Sequence, residues 1–180
     1  LFVPMTGRSE ELRKVQPDPT NPKLENAGFE HADAQTGRLA HWHYQRRTTL
    51  GTEGAPEGSR YLCFDNDQPG RTAHVLQGFA LDGSKIEALT ISLRYRTSNV
   101  KTGQGPMQRP ALVLHFYDAR RLPIGQAALG PLRSDATEWT TAADRLPIPS
   151  RTREAIVQIG LNGATGTLCV DEIQMKTTRR

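Results

Sequence analysis

Apolar and polar residues alternate along most of this chain, with the two-residue period of β-strands. The clearest run is 88–97, where Leu89, Ile91, Leu93 and Tyr95 alternate with Thr90, Ser92, Arg94 and Arg96. Successive side chains of a strand point to opposite faces, so this run sends its apolar set to a core and its arginines to the other side. Residues 111–118 repeat the device, with Leu112, Leu114 and Phe116 set against Val113, His115 and Tyr117. Further strand-like runs fall at 41–50, 60–65, 72–81, 138–143, 155–161 and 167–175. Turn formers stand between them: Asp67-Gln68-Pro69-Gly70, Asp82-Gly83-Ser84, and Gly160 to Gly166, which is expected to close a hairpin. No long stretch carries a helical apolar period. Many short strands punctuated by Gly, Pro and Asn predict an antiparallel β-sandwich or barrel.

Residues 1–21 break this pattern. They are polar, charged and then proline-rich, and they read as an arm or linker with one helical turn at 10–14, ahead of a β-domain spanning 22–180. The whole chain has 180 residues, enough for one domain with its own core. No apolar run approaches the roughly 18 residues a membrane span needs. The chain opens on Leu1 and is expected to be a processed or truncated product, so a removed export signal would leave no trace.

The net charge of +4 comes mostly from arginine, whose forked guanidinium suits planar anions. No segment concentrates that charge with interleaved aromatics, which ranks nucleic-acid binding last. His41 and His43 share a strand face but lack a third ligand for zinc. No nucleophile elbow or phosphate loop is present. Asp65 and Asp67 sit in a turn-like stretch rather than across a cleft, so no catalytic role is assigned. Cys63 and Cys169 are far apart and outside any Cys-x-x-Cys pair, leaving either two buried thiols or a bridge between strands.

Several short motifs occur in a recognisable order. Asn26, Gly28, Phe29 and Glu30 are followed by Gly37 and Trp42, then by Gly58-Ser59 leading to Cys63. Gln77-Gly78, Ser92-Leu93-Arg94-Tyr95, Phe116-Tyr117-Asp118, Trp139, Leu146-Pro147-Ile148-Pro149 and a last strand from Leu168 to Met175 complete the series. Over about 24–175 the chain resembles carbohydrate-binding modules of the family 4 and 9 type. That resemblance implies an all-β jelly-roll sandwich of two antiparallel sheets, galactose-binding-domain-like, with 24–30 as its first strand. It also implies a Cys63–Cys169 disulfide, and core positions for Trp42, Trp139, Phe29, Phe64 and Phe116. A structural calcium ion is implied where the first strand, the Gly-Ser turn and the last strand meet. Asp171 would be its main carboxylate and Glu30 a second, with carbonyls from Gly28 and from Ser59 or Arg60.

The function implied is non-catalytic binding of a poly- or oligosaccharide on the concave sheet. Arg94, Arg96, His115, Tyr117 and Gln158 are the expected lining, and the arginines point to an acidic or sulfated glycan. Tyr44 is set aside because it follows Trp42 by two and would share its face. The competing expectation is a structural or protein-interaction module of a larger protein. Either role, with a disulfide, fits a secreted, periplasmic or cell-surface location.

Overall fold

The computed structural model describes residues 17–180, so the expected helical turn at 10–14 and most of the arm lie outside the described residues. Nine strands follow one another: β1 (Thr48–Gly51), β2 (Tyr61–Asn66), β3 (His74–Ala80), β4 (Ile86–Lys101), β5 (Ala111–Tyr117), β6 (Pro123–Leu129), β7 (Thr140–Pro147), β8 (Glu154–Gly160) and β9 (Thr165–Arg179). They form a five-stranded sheet in the order β1-β2-β9-β4-β7 and a four-stranded sheet in the order β3-β8-β5-β6. Every pairing is antiparallel, and no helix occurs among the described residues. The all-β sandwich expected from the alternation is therefore the observed architecture.

The inner faces of the two sheets meet in one core. Leu89, Ile91, Leu93 and Tyr95 of β4 share it with Leu112, Leu114 and Phe116 of β5, and with Val157 and Ile159 of β8. Phe29, Trp42 and Phe64 join the same cluster. Burying a side chain of this size is worth roughly 1.5–3 kcal/mol, so the strictly alternating strands fix which face turns inward.

β9 departs from strict alternation. Val170 and Ile173 both enter the core although three positions apart. The pairing with β4 slips between Ser92 and Arg94, whose partners are Gln174 and Asp171, and Glu172 takes a φ of 52°. One extra residue in β9 restores the inward direction for Ile173 after Asp171 has pointed out.

Several expected elements take another form. Residues 24–30 are turns rather than a first strand. Asn26 organises them: its side chain donates to the His31 and Ala40 carbonyls and accepts from the His31 N–H. Its own carbonyl accepts from the Trp42 indole. Of the run 41–50, only Thr48–Gly51 is a strand. His43 and Arg46 instead hydrogen-bond along the edge of β3, while His41, Tyr44 and Arg47 adopt positive φ and break the regular pleat. β6 has no counterpart in the expected set; Gly125, Ala127 and Ala128 give it no apolar rhythm, and it lies at a sheet edge. The turn at 160–166 joins β8 of one sheet to β9 of the other, so it is an arch between sheets and not a hairpin.

Cys63 and Cys169 form the disulfide, directly opposite each other in the β2–β9 register. Their neighbours Leu62, Phe64, Leu168 and Val170 point into the core, so the bridge lies on the outer face of the five-stranded sheet. Trp139 was expected in the core; it sits instead on this outer face beside Tyr61 and the bridge. The Tyr61 and Trp139 rings meet edge to face at 5.1 Å. The Arg96 guanidinium stacks 5.2 Å from the first ring and 4.9 Å from the second, and donates to the Tyr61 hydroxyl. Gly51 lies beneath this ring, where any Cβ would overlap it.

The bridge closes a loop with a sequence separation of 106. A loop of that size stabilises by about 4–5 kcal/mol in the chain-entropy picture. Cys63→Ala with Cys169→Ala is expected to lower the unfolding free energy in urea by that order; an unchanged midpoint would show that the bridge adds nothing.

Candidate functional site

The five residues expected to line one cleft divide between two faces. Arg94 and Arg96 stand on β4, on the outer side of the five-stranded sheet. His115 and Tyr117 on β5 and Gln158 on β8 stand on the outer side of the four-stranded sheet. Alternation assigns a side chain to a face of its own strand but says nothing about the sheet that strand joins. Both arginines are also occupied: Arg96 caps Tyr61 and Trp139, and Arg94 reaches the Trp139 carbonyl at 3.5 Å. They cannot share a site with the other three.

The outer face of the four-stranded sheet has a regular layout. Leu76, Gln158, Val113 and Ala128 form one row across β3, β8, β5 and β6. Gly78, Ile156, His115 and Gln126 form the next, and Ala80, Glu154 and Tyr117 the one after. The polar groups are preorganised. Gln158 Oε1 lies 3.2 Å from His115 Nε2, and Gln158 Nε2 donates to Asn162 Oδ1 at 2.9 Å. Asn162 in turn donates to the carbonyls of Arg109 and Ala111, both at 3.2 Å.

A groove of about 1080 Å³ runs along the β3 side of this face. Gly78, Ala80 and Glu154 belong to its lining, with residues of the 17–25 segment, His41 and His43 as one wall and Arg121 and Arg153 at the other side. The absence of side chains larger than methyl at 78 and 80 leaves the space open. Glu25 pairs with His41, Glu154 with Arg121, and Arg153 with Asp82. Next to His43, Tyr44 is 63% exposed, contrary to its expected place beside Trp42, because its positive φ turns it out of the strand path. His74, on β3, is held below the usual histidine range by burial first, then by the charges of Arg46 and His115. Leu76, Gly78, Glu154 and Asn162 escaped the sequence reading. The parity of β3 and β8 could have flagged the first three, once their pairing was known; Asn162 lies beyond the end of β8.

The expected metal-binding residues gather on the outer side of the five-stranded sheet, under the loop between β1 and β2. Asp171 is fully buried, with a relative exposure of 0%. It accepts hydrogen bonds from the N–H groups of Glu57 at 3.1 Å and Glu172 at 2.7 Å. Burial pushes its pKa up to about 6, against those two hydrogen bonds, and the negative charges of Glu57 and Glu30 add to the rise. Glu30 accepts from Ser59 N–H, Ser59 hydroxyl and Arg60 N–H. Burial opposes its ionisation, but these hydrogen bonds outweigh it and hold the carboxyl below the usual range. A Cβ on Gly28 would touch Glu57, which places Gly28 beside the same acids.

This donor set suits a hard cation in its chemistry: a buried carboxylate flanked by two more acids and no basic partner among the described ion pairs. Its arrangement is less complete. Among the described residues no three acidic, histidine or cysteine side chains stand at mutual ligating distance. Glu30 spends its oxygens on the 59–60 turn, and Ser59 and Arg60 meet it through N–H groups. Asp171 and Glu57 are the better-placed pair, and Glu57 was absent from the expected set.

No protein-family model matches the sequence, and no curated protein matches it. Solved structures match in shape. The enzymatically active domain of tailspike protein 4 from bacteriophage CBA120 aligns with a TM-score of 0.63 at 11% identity, over 88% of this chain and 22% of that one. Family 16 Carbohydrate Binding Module-2 aligns with a TM-score of 0.52 at 17% identity, over 85% of this chain and 98% of that one. The Stig cyclase Fisc from Fischerella sp. TAU aligns with a TM-score of 0.55 at 14% identity, over 89% and 98%. Modules of families 4 and 22 match as well. The chain spans 22% and 26% of the first two structures it matches. At these identities the likeness establishes the β-sandwich fold of such modules.

The raised Asp171 pKa has a defined sign. The native state binds this proton more tightly than an unfolded chain does, so its ionisation costs stability as pH rises from the ordinary value of 3.8 through about 6. In the presence of chelator, Asp171→Asn is expected to melt above wild type at pH 7.5, with the gap clearly smaller at pH 5 and closing only as pH falls toward the ordinary value of 3.8. Melting curves at the two pH values check this, and a gap independent of pH would contradict it.

Proposed function

We propose that this chain is a carbohydrate-binding β-sandwich module, non-catalytic, that holds a poly- or oligosaccharide on the outer face of its four-stranded sheet. The observation carrying this reading is the coincidence on one face of an open groove with a preorganised His115–Gln158–Asn162 network and Tyr117. Sugars present hydroxyls that need fixed donors and acceptors, and C–H faces that pack on rings. His115, Gln158 and Tyr117 supply these, and Tyr44 offers a further exposed ring beside the groove wall. Likeness to family 4, 16 and 22 modules supports the class of ligand. Glu25 and Glu154 beside the groove are ion-paired with basic neighbours, and Asp18 is taken up by hydrogen bonds from Thr20, which favours binding over hydrolysis.

The expectation of an acidic or sulfated glycan rested on Arg94 and Arg96, which face away. On the site side the cations are Lys23, Arg121 and Arg153 of the groove lining, two of them ion-paired. We also infer that the module works within a longer secreted, periplasmic or cell-surface protein, in keeping with its disulfide and with matches that cover only part of larger chains.

A calcium ion would be held by Asp171 with Glu57, aided by the Gly28 carbonyl, and would tie the loop between β1 and β2 to β9. In this proposal Glu30 anchors the 59–60 turn of the same loop, and the ion is structural because it ties that loop to β9.

Two measurements test these proposals. Affinity electrophoresis against a panel of polysaccharides is expected to retain the wild type selectively. Tyr117→Ala with Gln158→Ala should weaken retention about tenfold or more, as two lost polar contacts imply, while Arg94→Gln leaves it unchanged. Silence against every polysaccharide would favour the structural-module alternative. For the metal, calorimetric titration of chelator-stripped protein with calcium is expected to show binding that Glu57→Gln weakens. Calcium at a hundred times its dissociation constant should add about 2.7 kcal/mol of stability. No heat and no shift in melting would remove the ion from the proposal.

A further inference from the structure

The hydrogen-bond chain on the four-stranded face has a direction. Asn162, at the end of β8, faces the carbonyls of Arg109 and Ala111. A carbonyl can only accept, so the amide nitrogen must point there and the amide oxygen must face Gln158. Gln158 then has to donate to that oxygen at 2.9 Å through its own nitrogen. Its oxygen is left toward His115 Nε2 at 3.2 Å, and an oxygen of this kind only accepts. His115 is therefore obliged to carry its proton on Nε2. Nδ1 has no hydrogen-bond partner among the described residues and is not one of the buried unpaired atoms, so it is open to the outer face.

We infer that His115 is a tautomer-locked, proton-switched reader of the bound sugar. As a neutral imidazole it offers a bare Nδ1 to a hydroxyl, and as an imidazolium it offers Nδ1–H to the carboxylate of a uronic acid. This rests on the carbohydrate-binding reading of the same face, and it gives that face a source of selectivity that the displaced arginines do not.

The surroundings leave the switch to His115. Across β6 it meets Gln126, and across β8 it meets Ile156, neither charged. The nearest acid on β8 is Glu154, opposite Tyr117 of its own strand and paired with Arg121. Arg109 lies on the loop before β5. From β3, His74 feels His115, and burial first, then the charges of Arg46 and His115, hold its pKa below the usual histidine range, which disfavours a second cation there. A histidine changes charge between about pH 5 and 8, within reach of natural environments.

Nitrogen-15 NMR of the imidazole in the full chain, without ligand, tests the lock directly. At pH 8 the His115 ring is expected as a single Nε2–H tautomer, and Asn162→Ala is expected to release it to a mixture. An Nδ1–H ring or a mixture in the wild type would overturn the inference whatever the sugar results. Calorimetry then tests the reader. A uronic-acid oligosaccharide should bind roughly fivefold tighter at pH 5.5 than at pH 7.5, the gain of one charge-assisted hydrogen bond, and His115→Gln should lose that gain. A gain that survives in His115→Gln overturns this inference alone. Failure of both a uronic-acid and a neutral oligosaccharide to bind overturns it together with the carbohydrate reading.

Discussion

The last strand is the constraint on which the remainder depends. β9 must pair with β2 on one side and β4 on the other, and still send Leu168, Val170 and Ile173 into the core. Regular pleating cannot do this, because Val170 and Ile173 have opposite parity. The bulge at Glu172 resolves the conflict at the cost of one residue in left-handed conformation. Its by-product is Asp171, a carboxylate turned outward yet fully enclosed by the loop between β1 and β2. The disulfide, the acid cluster and the closure of the five-stranded sheet all follow from this one register.

The two outer faces consequently differ in kind. On the five-stranded side, Tyr61, Trp139, Arg96 and the disulfide form a second small core outside the main one, and the loop from Gly51 to Arg60 closes over it. Its polar groups serve packing: Arg96 covers aromatic rings, and Asp171 receives backbone donors. On the four-stranded side a groove stays open, with Gly78 and Ala80 where a bulkier pair would fill it. Chemistry aimed at a ligand belongs on the side that keeps an open groove beside its polar network.

The parts legible in the sequence were those encoded locally. The rhythm of 88–97 and 111–118 placed Tyr95 inside and Tyr117 outside, as observed, because burial of three or four apolar groups on one face leaves no other register. Edge elements were not legible: the middle of β6 is Gly, Gln and Ala, and the 41–46 stretch is held to β3 mostly by backbone groups. The site was half legible for a similar reason. His115, Tyr117 and Gln158 belong together, while Arg94 and Arg96 carry the same outward parity on a strand that joins the other sheet. The disulfide pairing came from resemblance, and the role of Glu57 could be seen only when the loop was laid over Asp171.

The position of the disulfide also has a mechanical meaning. A chain held at both ends transmits tension along its shortest covalent path, and here that path crosses directly from Cys63 to Cys169. Everything between them is bypassed. That interval holds β3 through β8, and so the whole four-stranded sheet with Gln158, His115 and Tyr117. A stretching force would strip the segments outside the bridge, the 17–25 and His41–His43 wall of the groove among them, before it reached the four-stranded sheet. The molecule is thus arranged so that the sheet carrying His115, Tyr117 and Gln158 is the part least exposed to load.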